Sequence, residues 1–416
     1  MWNVRLLLAV FAAIFCLTQR VATCVAAQES TALEKVLPKH PIGTMADLRK
    51  NRTTGVSILE VSDYVFGGYT GQFPSPPHAD QNPKRAFIIS WKNFPFRFVF
   101  AHEGSYCPWF EFPSGAGTCF QFFEGNGGWA ELFNNFGRQE TNSFVEVLEG
   151  GPGRVHVRWT YFGVNQEKGA RAYRATEDFW AFPNGHILRR QSFTSLMPGD
   201  DRGYAREPIE MIGMCPVGKL WLDVLRRDPL TGESHALAVL DAFSANRYDV
   251  FWRRDSGALW KSAPRRTGCS WKALDDSPGV ALVVPLREGA AFCVLGDAGG
   301  FRHDVTRIKE HSHPDTGGIG WVSQSWDHWP IGWLNSQANE VNAQSLKKFP
   351  NHFSPAGMDF FALPNQQVER RDFYSLVGVG GNDLEAVRKV ARSWLDFSET
   401  KIADLEKISR LRATFR

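Results

Sequence analysis

The segment RVHVRWTYF (154–162) sets Val155, Val157, Trp159 and Tyr161 at every second position, with His156, Arg158 and Thr160 between them. Successive side chains of a strand point to opposite faces, so this alternation predicts one aromatic and aliphatic face and one polar, basic face. PFRFVFA (95–101) and SFVEVLE (143–149) alternate in the same way, and HILRRQSFTS, GVALVVPL and AAFCVLG continue the series. GGPG, FPNG and REG separate the runs; Gly, Pro and Asn supply the backbone angles of tight turns. Many strands at short spacing, with little helical periodicity between them, predict an all-β fold: a large antiparallel β-sandwich of the supersandwich kind.

The pattern changes at the two ends. NDLEAVRKVARSWLDF puts Leu384, Val387, Ala391 and Trp394 on one helical stripe behind an Asn/Asp start, and TKIADLEKISRL continues as a second helical stretch. LEKVLPKHPIGTMADLRK predicts a short helix near the beginning, and GGYTGQFPSPPHADQNP reads as a loop. The expected organisation is a leader over 1–27, an N-terminal extension over 28–82, a β-sandwich over 83–380 and a helical tail over 381–416.

The leader rests on Arg5, the apolar run from Leu6 to Leu17 and the small residues before Ala27. That is the layout of a secretory signal peptide cleaved near Ala27, and the run is too short for a good membrane span. Val21-Ala22-Thr23-Cys24 is a fainter match to a lipidation site. Without a further spanning stretch, the mature protein is expected to be secreted or periplasmic. Loss of the leader removes Cys16 and Cys24 and leaves Cys107, Cys119, Cys215, Cys269 and Cys293. Their odd number imposes no complete disulfide framework, and Cys107 with Cys119, flanking CPWFEFPSGAGTC, is the favoured pair. A formal net charge of +3 gives no concentrated basic face for nucleic acid, while suiting an anionic ligand.

Three stretches concentrate reactive side chains. FAHEGSYCPWFEF carries His102, Glu103 and Tyr106 where a strand runs into a turn, a usual place for functional groups; a satisfied turn is the bland reading. RVHVRWTYF sets His156 and Arg158 on one face, about 6.5–7 Å apart along the strand, with Tyr161 opposite. That face reads either as an anion-binding floor or as a solvated outer surface, the latter favoured for Arg189 and Arg190. In WVSQSWDHWPIGWLNSQ, four tryptophans and His328 fall within thirteen positions beside Asp327. Pro330 and Gly332 break a regular strand there, leaving Trp326, Trp329 and Trp333 as candidates to stack on sugar rings. His311, His313 and Asp315 have the short spacing of a weak divalent-metal site; no cofactor is required.

HEGSYCPWFEF, SFVEVLEGGPGRVHVRWTYFGVN, EDFWAFPNGHILRRQ, WDHWPIGW and NHFSPAG, in this order over about 95–365, resemble exported bacterial β-sandwich proteins that include ulvan-lyase-like polysaccharide lyases. The family pattern continues its HWP element into a polar run, where this chain has Ile331-Gly332-Trp333-Leu334. The resemblance implies β-elimination on an anionic, uronate-containing polysaccharide or oligosaccharide. Such chemistry needs a cation on the uronate carboxylate, a base for the C5 proton and an acid for the leaving oxygen. Arg158 is the expected clamp, His102 and His328 the base candidates, and Tyr106 or Tyr161 the acid. Glu103, His156, Trp326, Asp327, Trp329 and Trp333 are expected to contact substrate. Two other readings stay open: a glycoside hydrolase drawing a carboxylate pair from Glu103, Glu207, Glu210 and Asp327, and a non-catalytic exported glycan-binding protein.

Overall fold

Two β-sheets face each other in the computed structural model, which describes residues 42–50, 55–65, 84–102, 105–120, 123–127, 129–130, 142–165, 167–197, 203–206, 209–214, 221–254, 259–267, 277–296, 340–342, 352–358 and 371–396. Strands β1 (Ile42–Gly43), β2 (Val56–Tyr64), β3 (Lys84–Trp91), β4 (Arg97–Ala101), β5 (Pro108–Glu111) and β6 (Gly117–Phe120) follow one another across the first sheet. Next in chain order come β7 (Glu124–Gly127), β8 (Trp129–Ala130), β9 (Ser143–Gly151), β10 (Arg154–Asn165), β11 (Ala170–Ala181), β12 (His186–Ser195), β13 (Gly203–Arg206) and β14 (Ile209–Met214). The remaining strands are β15 (Ser234–Asp241), β16 (Arg247–Arg254), β17 (Leu259–Thr267), β18 (Gly279–Pro285), β19 (Ala290–Gly296), β20 (Glu340–Asn342), β21 (His352–Met358) and β22 (Arg371–Gly380).

Among the described residues the first sheet has the order β1-β2-β3-β4-β5-β6-β14-β21, and the second β20-β17-β16-β15-β18-β19-β22-β12-β11-β10-β8, with β9 also paired to β10. Apart from the parallel β1–β2 contact, the pairings are antiparallel. The all-β sandwich expected from the alternation is therefore what forms. Helices are few: α1 (Met45–Lys50), α2 (Trp221–Val224) and α3 (384–396). The described residues all fall in one compact unit, Ile42–Arg416. None of their helices is long and apolar enough to cross a membrane; the expected leader and the second C-terminal helical stretch lie outside them.

One core fills the space between the sheets. Phe98, Phe100, Phe110, Val155, Val157, Trp159, Tyr161 and Phe179 meet there with essentially no exposed surface. Full burial of each large apolar side chain contributes about 1.5–3 kcal/mol, which is why the chain's aromatic excess stabilises two broad sheets. A second core lies on the other side of the second sheet, beneath α3. Leu384, Val387, Ala391 and Trp394, the predicted stripe, pack with Trp180, Leu188, Phe292, Tyr374 and Leu376. Asp383 starts α3 by accepting the Glu385 N–H at 2.9 Å. Gly279 and Gly296 are cross-strand partners, and a Cβ on either would stand 2.1–2.2 Å from a methyl of Leu395. Their missing side chains let the helix approach.

The sequence places β2 in an N-terminal extension, but it pairs with β3 along its length. Its hydrophobic alternation is masked by Glu60, a buried carboxylate bonded to Arg85. At the β11–β12 connection FPNG behaves as expected. Phe182 N–H bonds His186 O at 2.9 Å, and Gly185 takes φ +84°, the left-handed angle that closes a hairpin after a Pro-Asn turn.

Candidate functional site

Strands β9 to β12 and β22 line up with their polar faces outward. Cross-strand pairing sets Glu146, Arg158, Asp178, Arg190 and Tyr374 in one row, one residue per strand. Thr160, Thr176, Ser192 and Asp372 form the next row, and His156 and Trp180 the row on the α3 side. The two-residue strand period fixes this arrangement: a slip by one would turn every one of these groups into the core.

Asp178 is the centre. Its carboxylate is fully buried and accepts from His156 Nε2 at 2.8 Å and Arg158 Nε at 3.0 Å on one oxygen, and from an Arg190 Nη on the other. Burial alone would raise this carboxyl, but the His156 bond and the Arg158 and Arg190 charges outweigh it and hold Asp178 well below the usual carboxylate range. Burial likewise opposes the Arg190 charge, yet Asp178 and a hydrogen bond to Tyr374 keep that guanidinium above its ordinary pKa. Two guanidiniums and an imidazole thus share the one buried carboxylate of Asp178, with Glu146 across from Arg158 on the neighbouring strand.

The donors point usefully. Arg158 has a third of its side chain exposed, and after its two bonds to Asp178 its Nη1 has no partner among the described residues. Arg190 Nε is a buried donor without a partner. Because His156 engages Asp178 through Nε2, its Nδ1 is free among the described residues, as in a base oriented by a carboxylate. The imidazole is stacked on Trp180, centroids 4.6 Å apart at 25°. Trp180 reaches into the core beneath α3, so packing there fixes the ring's orientation. Arg158 and His156 are the sequence candidates brought together here. Asp178 and Tyr374 were not singled out by chemistry in the sequence, and Arg190 was read as a solvated residue; the strand register brings all three to His156 and Arg158.

On the opposite face the neighbours of these residues are structural. Tyr161 is fully buried; its hydroxyl accepts the Phe123 N–H at 2.8 Å and donates to Glu177 Oε1 at 2.8 Å. Burial, then the Glu177 charge, pushes the phenol well above its ordinary pKa. A group with both roles occupied inside the core cannot protonate a polysaccharide, so the expectation that Tyr161 serves as acid is corrected. Arg189, expected on a solvated face, is instead completely buried against Glu177 at 2.7 Å. Arg190 is on the outer face, but mostly covered and paired.

Ser105 and Tyr106 also lie on the inner side. Ser105 and Tyr106 adopt φ 50° and 62°, a left-handed conformation that costs non-glycine residues about 1–2 kcal/mol each. The Tyr106 ring is buried beside Phe87, and Ser143 Oγ donates to Ser105 O at 2.6 Å while accepting from Trp159 Nε1 at 2.9 Å. These contacts hold the turn against its strain. His102, half-buried, meets Tyr106 edge-on at 5.7 Å. Trp159 anchors this turn from the inner face, whereas its neighbour Arg158 points outward. The sheet separates Arg158 from His102 and Tyr106, so these three do not meet in one groove; His328, expected beside them, lies outside the described residues.

Glu103, Glu207, His311, His313, Asp315, Trp326, Asp327, His328, Trp329 and Trp333 lie outside the described residues, as do Cys215 and Cys269. Glu210 is on β14, in the other sheet from Asp178. Among the described residues no group of three His, Cys, Asp or Glu is placed to hold a metal ion. Compared with known protein families and with curated proteins, the chain matches none.

Proposed function

We propose that the protein is an exported carbohydrate-active enzyme, a polysaccharide lyase that cleaves uronate-containing glycans by β-elimination on the outer face of β10–β12. One observation carries the reading: Arg158, Arg190 and His156 converge on Asp178, with a donor of the part-exposed Arg158 left over. The leader-like N-terminus and the family resemblance in the sequence support the same direction.

The reaction assigns a task to each group. The uronate C5 proton becomes removable once the adjacent carboxylate is neutralised, which the part-exposed Arg158 Nη1 is suited to do. His156 Nδ1 takes the proton, and Asp178 stabilises the imidazolium that results. The C5–H electron pair becomes the C4=C5 double bond as the C4–O bond breaks. The departing oxygen takes its proton from solvent, and Tyr374, bonded to Arg190 and packed beneath α3, steadies that guanidinium. Thr160 and Thr176, in the adjoining row, offer hydroxyls to the sugar. Asp178 and Trp180 position His156.

Incubation with a panel of uronic-acid polysaccharides, followed in the ultraviolet, tests the proposal. Appearance of an unsaturated, absorbing product is expected with at least one polymer. New reducing ends without that absorbance would replace the lyase with a hydrolase, and saturable binding without any product would replace it with a binding protein.

A further inference from the structure

Cys107 and Cys119 stand at the two ends of the β5–β6 hairpin, and their sulfurs touch in the core at 3.3 Å as free thiols. Cys107 directly follows the strained Ser105–Tyr106 turn. We propose that these two cysteines form a disulfide in the exported protein, made before the sandwich closes, and that it ties the Ser105–Tyr106 turn to β6. The export clause rests on the function proposed above; the cross-link itself does not depend on glycan chemistry.

The timing follows from burial. Both sulfurs are nearly inaccessible in the folded chain, and burial, with Cys119 alongside, pushes the Cys107 thiol well above its ordinary pKa. Thiolate is the nucleophile of exchange, so oxidation of the finished sandwich is slow and the open hairpin is the competent substrate. A disulfide oxidant supplies the balance. One cysteine thiolate attacks it and releases one oxidant thiol. The second cysteine then attacks the mixed disulfide, releasing the other thiol: two S–H bonds become one S–S bond, and two electrons and two protons pass to the oxidant. Cys293 takes no part. It is buried in the second sheet, and burial pushes its thiol to about 12 against the smaller opposing influence of Arg189 and Ser375.

The reduced, denatured full chain refolded in oxidised and reduced glutathione provides the test, with alkylation under denaturing, non-reducing conditions and peptide mapping. We expect a linked peptide pair containing Cys107 and Cys119, lighter by two hydrogens, with Cys293 alkylated. Cys107→Ser and Cys119→Ser should each abolish the link and make the chain around residues 102–106 more sensitive to protease, with the two single variants resembling the double variant. Alkylation of both Cys107 and Cys119 in the refolded wild type, or a bridge from either to another cysteine, would overturn the cross-link. Unchanged protease sensitivity in the Ser variants would overturn its role at the turn. Protein recovered from the export compartment with both thiols free would overturn the export clause while leaving the refolding result intact.

Discussion

Glu177 and Asp178 are neighbours on β11, and Arg189 and Arg190 are their partners on β12, so the chain makes the same carboxylate-guanidinium pair twice, once on each face of the sheet. On the inner face Glu177 and Arg189 are shut in the core with Tyr161 and Gln191. Burial raises Glu177, against the opposing pull of Arg189 and the surrounding hydrogen bonds. On the outer face three cationic or protonatable groups hold Asp178 low, and one of them reaches solvent. The first pair is balanced and closed. The second leaves one guanidinium, Arg158, part exposed with an open donor, the condition for gripping an anion. Residue type does not distinguish them; position in the pleat does.

The comparison breaks most sharply on stability. Arg189→Met should cost about 3–5 kcal/mol in denaturant unfolding, because it strands a buried carboxylate. The Glu177→Gln/Arg189→Met double variant should recover much of that loss; no recovery would mean the inner pair is not the unit described. Next in size, Arg158→Ala should lower turnover by about 10²–10³-fold, the typical cost of losing one preorganised donor to developing negative charge. The same variant should lose no more than about 1 kcal/mol of stability, since the guanidinium is partly exposed and its ion pair is screened.

Acid titration separates the two carboxylates by sign. With its folded pKa depressed, Asp178 contributes stability that is present above its unfolded value, about 3.9, and lost as pH falls toward the folded value. Asp178→Asn should therefore be most damaging near neutral pH and converge toward wild type in strong acid. With its folded pKa raised, Glu177 contributes in the opposite sense: stability present below about 4.3 is lost as pH rises toward the folded value. The pH dependence of the stability difference between Glu177→Gln and wild type should slope the other way, a smaller shift read from unfolding curves between acid and neutral pH. Parallel slopes for the two variants would erase the distinction between the faces.

Much of the fold was legible because it repeats. The alternation in RVHVRWTYF set Val155, Val157, Trp159 and Tyr161 on one face and His156 and Arg158 on the other, as observed, and the stripe from Leu384 to Trp394 predicted the helix that covers the second core. The site was less legible because it is assembled across strands. Asp178, Arg190 and Tyr374 come from three strands and meet His156 and Arg158 only through register, which sequence spacing does not encode. Tyr161 misled for the same reason: its polar tip suggested chemistry, but its strand parity committed it to the core with Glu177. Strand β2 was hidden by Glu60, a covered carboxylate paired with the half-exposed Arg85, which interrupts the apolar pattern.

The most direct test of the central claim compares His156→Gln with wild type on a uronate polymer that yields product, following ultraviolet absorbance, with unfolding measured on the same samples. Glutamine keeps a donor for Asp178 but supplies no base. The account predicts a loss of about 10²–10⁴-fold in turnover with the folded structure retained. Unchanged formation of the unsaturated product by a folded His156→Gln protein would contradict it.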